Sequence, residues 1–421
     1  MVSFKYTDEN ISYNKKRGKM KSSQKSQITM LMIIGLVLFI IVSFVFYLSK
    51  SSISKKSQTN IKRTQETALD TRAIKDLVAK CLDKLAKDAI ILLGRQGGYI
   101  YASQGGTLVD YRETDEGSFF VRYNNFNVAY NILPPRFAAP PYSSDAPDYP
   151  WQTFPYETAE SNAEIFDGFF GISNMPPLNS SEGSHSIQSQ IEKYIDNNMA
   201  KCADLTIFQN QGYNIVMNST LTSVVIGTRH VAVKAKVPIT LSNPIMQEFS
   251  EINDFSTDID FKLRETYYFA KGLIGKDIND INFSLSDPKN NRNSLKVQVI
   301  KHFFSNDDLV IITNQDSLIS GKPFGYVFAR KNRAPALFYL RNHEYSFEPG
   351  YLINQTDLLK DEELRAEDPD EDSVAFNFYD GELSKIPITF PVELDRDKIK
   401  FKVEVSDGQL SDYQIITVNR I

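Results

Sequence analysis

The run Ile28 to Leu48, ITMLMIIGLVLFIIVSFVFYL, holds 21 residues without a charge and constrains this chain more than any other feature. At ~1.5 Å per residue a helix of that length reaches the ~30 Å of a bilayer's hydrocarbon core, whereas an apolar run of only ~10–14 residues reads as a buried core helix. The run therefore predicts a transmembrane helix at 28–48. It is longer than the apolar region of a secretory signal and ends in FYLSKSSISKK rather than in small residues, so an uncleaved anchor is the expectation.

Charge is distributed unevenly around this run. Residues 1–27 carry seven Lys/Arg against Asp8 and Glu9, and residues 49–63 carry five Lys/Arg and no acid. Close to the span the basic residues nearly tie, so the positive-inside rule does not orient it. The cysteines do better. Cys81 and Cys202 both lie C-terminal to the span, as do the sequons beginning at Asn179, Asn218, Asn282 and Asn354, which are candidate glycosylation sites. The reading is a cytoplasmic basic tail at 1–27 and an extracellular bulk, making a single-pass protein of the cell membrane. Residues 64–421 hold 35 basic and 50 acidic residues, and that net of −15 argues against nucleic acid as a partner.

Residues 49–94 read as a polar juxtamembrane stretch leading into an amphipathic helix. Ile74, Val78, Cys81, Leu85, Ala89 and Leu92 recur every three or four positions, and Gly94 supplies a left-handed cap. The glycine-rich LLGRQGGYIYASQGG at 92–106 invites a phosphate-loop reading. A phosphate cradle, however, needs a strand before the glycines and a helix after them, and here the order is helix, glycines, strand. The stretch is read instead as a turn off the helix followed by a glycine hairpin. Within 110–183, nine of the eighteen prolines fall between Pro134 and Pro177 and alternate with aromatics. This suggests an ordered excursion in which Tyr149, Trp151 and Tyr156 either contact a ligand or pin the loop to the core.

A second helix follows, capped by Ser184 or Ser186, with Ile187, Ile191, Tyr194, Ile195, Asn198 and Cys202 at helical spacing. Cys81 and Cys202 thus fall on two apolar stripes, and a disulfide joining them is expected outside the cytoplasm. Beyond 213 the pattern becomes β, with Val231, Val233, Ala235 and Val237 alternating against His230, Lys234 and Lys236, interrupted by a helical passage near 259–278. The predicted fold class is a transmembrane helix, an α+β ectodomain at 95–330 with two helices packed on a mostly antiparallel sheet, and an all-β sandwich at 331–421.

That last assignment rests on a resemblance. FEPGYLINQTDLLKDEELRAEDPDEDSVAFNFYDG and ELDRDKIKFKVEVSDGQLSDYQIITVNRI resemble cadherin-like, dystroglycan-type or Ig-like sandwich domains, which are used for contacts at cell surfaces. The resemblance implies a calcium site: Asp368 and Asp370 match the family's D-x-D, Asp395 and Asp397 its L-D-R-E, Glu348 an early acidic ligand, and Asp372 stands beside them. Where the family has an acidic linker, this chain has Lys331, Asn332 and Arg333, so the same aspartates are equally read as turn residues. At the other end, basic residues followed by KSQITMLMIIGLVLF resemble the class III signal of archaeal type IV pilin-like proteins, implying a cut before Gln27. The segment order of the whole chain is similar to single-pass surface proteins of small-genome archaea.

Catalytic motifs are missing. His185, His230, His302 and His343 are dispersed without metal-ligand spacing, no G-x-S-x-G occurs, and Asp307-Asp308 reads as a hairpin turn. The expected function is non-enzymatic: a membrane-anchored surface protein for binding, adhesion or envelope scaffolding, contacting the bilayer through 28–48 and a protein or glycan outside. The alternatives are a pilin-like filament subunit and an ectoenzyme acting on polysaccharide.

Overall fold

Helix α1 occupies residues 71–95 of the structure, a computed structural model that describes residues 71–135, 168, 170–243, 248–338, 340, 344–359, 363–381 and 384–421. Ile74, Val78, Leu82, Leu85, Ala89 and Leu93 are all buried, so the three-to-four spacing forms a continuous stripe. Helix α2 (Ile187–Cys202) starts at Ser186, whose hydroxyl accepts the Ser189 N–H, and buries Ile187, Ile191, Ile195 and Met199. The two stripes enter one core, and Cys81 and Cys202 are joined there, with Cα atoms 5.7 Å apart across 121 positions. A short α3 (Thr206–Gln209) and α4 (Leu263–Asp277) complete the helices of this part.

The strands that accept those helices are β1 (Phe120–Tyr123), β2 (Phe126–Leu133), β3 (Ile172–Ser173), β4 (Asn214–Met217), β5 (Leu221–Ile226), β6 (His230–Asn243), β7 (Glu248–Asp260), β8 (Leu295–Phe304), β9 (Asp307–Ile319) and β10 (Lys322–Arg330). Strands β4 to β7 form an antiparallel sheet centred on β6. In β5, Thr222, Val224 and Ile226 are buried while Leu221, Ser223 and Val225 are exposed, the period-two pattern of a sheet with one wet face. The other sheet has the order β1-β2-β10-β9-β8, with β3 paired to β2. It is mixed, because β10 runs parallel to β2 at Ala329↔Tyr130 and Arg330↔Ile132.

The glycine-rich stretch lies between these layers. Gly94, expected as the left-handed cap, instead lies inside α1; the Gly98 N–H closes the helix on the Leu93 carbonyl, and Gly97 and Gly98 take the positive φ, +71° and +91°. A Cβ on Gly94 would stand 2.3 Å from the Phe324 ring and 2.5 Å from the Gly325 carbonyl oxygen, and one on Gly97 would stand 3.1 Å from the Ala129 carbonyl oxygen. The segment therefore passes β10 at Gly94 at a distance that excludes a side chain, and passes β2 at Gly97 in tight contact. Buried Gln190 of α2 fastens it by accepting the Ile100 N–H and donating to the Gly98 carbonyl. The hairpin expected after it is instead a 3-10 turn at Ala102–Gln104, closed by the Ala102 N–H on the Leu108 carbonyl.

The C-terminal part contains β11 (Ala336–Leu337), β12 (Glu344–Phe347), β13 (Leu352–Ile353), α5 (Gln355–Leu359), β14 (Ala366–Glu367), β15 (Ala375–Asp380), β16 (Val392–Glu393), β17 (Lys398–Ser406) and β18 (Ser411–Arg420). Strands β12-β18-β17-β15 make one sheet, whereas β11-β14 and β13-β16 are two-stranded ladders. Phe401, Val403 and Val405 of β17 share a core with Leu337, Ile353 and Leu358. Alternation along β17 is as the sequence suggests, but the second layer is reduced to short ladders and one helical turn.

The predicted fold class is corrected on these grounds. Strands make up 41 % of the structure, so the chain is mainly β rather than two helices on a mostly antiparallel sheet. Among the described residues no helix is long and apolar enough to cross a membrane, and the span expected at 28–48 lies outside them. Two features turned the assignment. The hairpin β1-β2 sits inside the stretch read as a proline-rich excursion, and β2 pairs with a strand nearly 200 positions later. Pairing at that range leaves no local trace. Residues Ala73–Ile421 cluster as one compact unit, so the sandwich-like part is packed on the body.

Candidate functional site

Most of the aspartates singled out in the sequence converge on the seam between the body and the C-terminal part. Strand β10 ends in Arg330, and the chain continues through Lys331, Asn332 and Arg333 into β11. The side chains of Arg330 and Arg333 are 1 % and 0 % exposed, an arrangement that requires carboxylates within reach. Three parts of the chain supply them. Arg330 places Nη1 2.8 Å from Asp277 Oδ1 at the end of α4, Nη2 2.5 Å from Asp308 Oδ2 of β9, and Nε 3.1 Å from Asp370 Oδ1. Arg333 donates from Nε and Nη2 to Asp370 Oδ1 at 3.1 and 2.9 Å, while its backbone N–H donates to Asp370 Oδ2 at 2.6 Å. Its remaining N–H groups reach the carbonyls of Phe170, Asp277 and Pro369. The Asp277 Oδ2 oxygen lies 3.0 Å from Arg333 Nη2 as an ion pair without hydrogen-bond geometry.

A second ring of contacts surrounds this pair. Lys331 pairs with Asp307 at 2.9 Å and sits 5.0 Å from the centre of the Tyr130 ring, while the Tyr130 hydroxyl donates to Asp307. The Asn332 amide donates to Asp407 in the VSDG turn between β17 and β18. Lys301 lies 3.2 Å from Glu371 and 3.5 Å from Asp308, and donates to the Asp370 carbonyl. Asp307 and Asp308, read from the sequence as a hairpin turn, directly follow the β8-β9 turn as the buried first residues of β9 and anchor the seam.

Ionisation follows from this packing. Burial opposes the Asp370 charge, but Arg333 and Arg330 outweigh burial and hold its pKa below the ordinary value. Asp277 goes the other way: burial raises it and the same two arginines offset only part of that. Asp368, whose Oδ1 accepts the N–H groups of Asp370 and Asp372 in an Asx-type turn, is pushed up to about 7 by burial and then by Asp370. Asp372 is raised to about 6, again by burial first, with His302 at 3.6 Å offsetting part of it. In β18, burial pushes Asp412 up to about 8, offset in part by the Leu337 and Tyr413 N–H groups it accepts.

These raised values fix the direction of a pH dependence. Each lies above the ~3.9 of an unfolded Asp, so the folded chain binds more protons than the unfolded one between those two values. The stabilisation is complete below about pH 4 and is lost as pH rises through 6, 7 and 8. Asp370, with a lowered pKa, contributes the opposite trend only below about pH 4. The expected result in urea titrations is a protein roughly 4–8 kcal/mol more stable at pH 5 than at pH 8. Asp412→Asn and Asp368→Asn should each flatten part of that slope. A stability that rose from pH 5 to pH 8 would contradict the buried, protonated state of these carboxyls.

The other sequence-derived residues are placed as follows. Asp395 and Asp397 are exposed and pair with Arg396 and Arg420, and Glu348 is exposed after β12. Among the described residues no group of three His, Cys, Asp or Glu could hold a metal ion. Of the D-x-D pair, Asp370 meets the guanidinium groups of Arg330 and Arg333, while Asp368 accepts the backbone N–H groups of Asp370 and Asp372. Asn218, Asn282 and Asn354 are exposed, whereas Asn179 is half-buried and donates to Glu182. Tyr149, Trp151, Tyr156 and His343 lie outside the described residues. Arg330 and Asp277 carry no sequence signal as site residues, and Asp308 carries only that of a turn. The one available signal was Arg333, a cation standing where the resemblance calls for an acidic linker.

The chain matches no protein-family model, and the comparison with curated proteins finds no match either.

Proposed function

We propose that this chain is a membrane-anchored surface protein whose compact β-rich part serves binding or envelope scaffolding. The observation that carries the proposal is the Cys81–Cys202 disulfide, since such cross-links persist in oxidising surroundings and are rare where glutathione keeps thiols reduced. The uncharged run from Ile28 to Leu48 supplies the means of attachment, and the exposed sequons at Asn218, Asn282 and Asn354 suit the same side of the membrane. The buried Arg330–Arg333 seam supports a presenting role, because it joins the terminal module to the body through side chains that water does not reach. A protein or glycan is the partner class this reading proposes.

The test is protection from protease in the native cell. Trypsin added to intact cells is expected to remove epitopes within 73–421 while leaving cytoplasmic markers whole. Epitopes protected until the cells are lysed would place this part inside and remove the proposal.

A further inference from the structure

Strands β2 and β10 are hydrogen-bonded only near their C-terminal ends, at Tyr130 and Ile132 with Ala329 and Arg330. Upstream the glycine segment rests against both strands, and their N-terminal ends bound a cleft of about 430 Å³ together with the last turn of α1. Each strand enters through a left-handed two-residue turn, Asn124-Asn125 before β2 and Ser320-Gly321 before β10, so the backbone that shapes the mouth is sharply defined.

The chemistry of the lining is one-sided. Arg95 and Lys322 supply two cations, the rings of Tyr123 and Phe126 supply apolar faces, and Asn124 and Ser320 supply a neutral amide and a hydroxyl. Among the described residues no carboxylate lines the cleft. The Arg95 guanidinium lies 4.9 Å from the centre of the Phe126 ring, and the residue is exposed.

We infer that this cleft binds an acidic saccharide, a sugar unit bearing a carboxylate. A guanidinium fork matches a carboxylate in a way a point charge does not, and Lys322 adds attraction without geometric demand. The aromatic faces pack against the C–H face of a pyranose ring. Asn124 and Ser320 exchange hydrogen bonds with its hydroxyls, and the volume lies within the usual range of small-ligand sites, roughly 300–1,000 Å³. An acidic peptide would use the two cations but has less call on the neutral amide and hydroxyl. The inference rests on the surface reading above for where such a sugar is met.

The experiment is calorimetric titration of the purified full chain in detergent micelles with tetragalacturonate. The expected result is saturable binding that weakens at least tenfold in Arg95→Gln and in Lys322→Gln, both exposed positions where the fold tolerates a neutral side chain. The same oligomer with its carboxyls reduced to alcohols should not bind. No binding by the wild-type chain, equal binding of the reduced oligomer, or unchanged affinity in both variants overturns the assignment. Displacement by polyglutamate at equal carboxylate concentration overturns it in favour of an acidic peptide. Because the titration uses purified protein, its failure leaves the protease result on location untouched.

Discussion

Replacing Arg333 with alanine is expected to destabilise the protein by about 3–5 kcal/mol, the range found when one partner of a buried ion pair is removed. Asp370 and Asp277 would keep their burial and lose the guanidinium that supports their charge. The carbonyls of Phe170 and Pro369 would also lose a donor. Arg333→Lys should recover little, because one ammonium cannot reproduce donations from Nε, Nη1 and Nη2 to separate elements. Arg333→Met combined with Asp370→Asn should recover part of the loss, since the uncompensated charge goes with its partner. Urea denaturation of the four proteins at pH 6 measures this. A loss under about 1 kcal/mol for Arg333→Ala would mean that water enters the seam and solvates the stranded carboxylates.

Opening the disulfide is the second large effect. A cross-link closing a loop of this length, between positions 121 apart, restricts the unfolded chain by ~4–5 kcal/mol in the chain-entropy model. The bond joins α1 to α2, whose apolar stripes already meet in one core, so folded geometry should survive and the unfolded state should gain freedom. Cys81→Ser with Cys202→Ser is therefore expected to unfold at lower denaturant while keeping the native circular dichroism. Reduction of the wild-type protein should produce the same shift, and the double variant should not respond to reductant. A double variant as stable as the parent would show that the unfolded chain is already restricted between these helices.

The two predictions differ in how far they were legible. The cysteines could be matched because each lies on a strong helical stripe, and stripes of that kind must be buried somewhere. Their pairing needed only that two apolar faces share a core. The seam had no comparable signature. Asp277 ends a helix, Asp308 follows a turn, Asp370 lies in an acidic stretch and Arg330 closes a strand, four positions with nothing in common along the chain. Asp368, Asp370 and Asp372 stand out for a resemblance to calcium ligands, yet only the fold shows that Asp370 meets the guanidinium groups of Arg330 and Arg333. The alternation in β5 and β17 was equally readable, whereas the parallel pairing of β2 with β10 was not.

Sequence by itself determined the periodicities: the stripes of α1 and α2, the strand alternation after 213, the glycine turn off α1 and the uncharged run at 28–48. Those are local properties, written in the spacing of apolar side chains and in the freedom of glycine at positive φ. Tertiary structure alone decided which carboxylates surround Arg330 and Arg333, which strands splay to open the cleft, and that Gly94 lies where β10 approaches too closely for a side chain. Such contacts join residues up to about 200 positions apart, and their energy depends on mutual burial rather than on any neighbour in the chain.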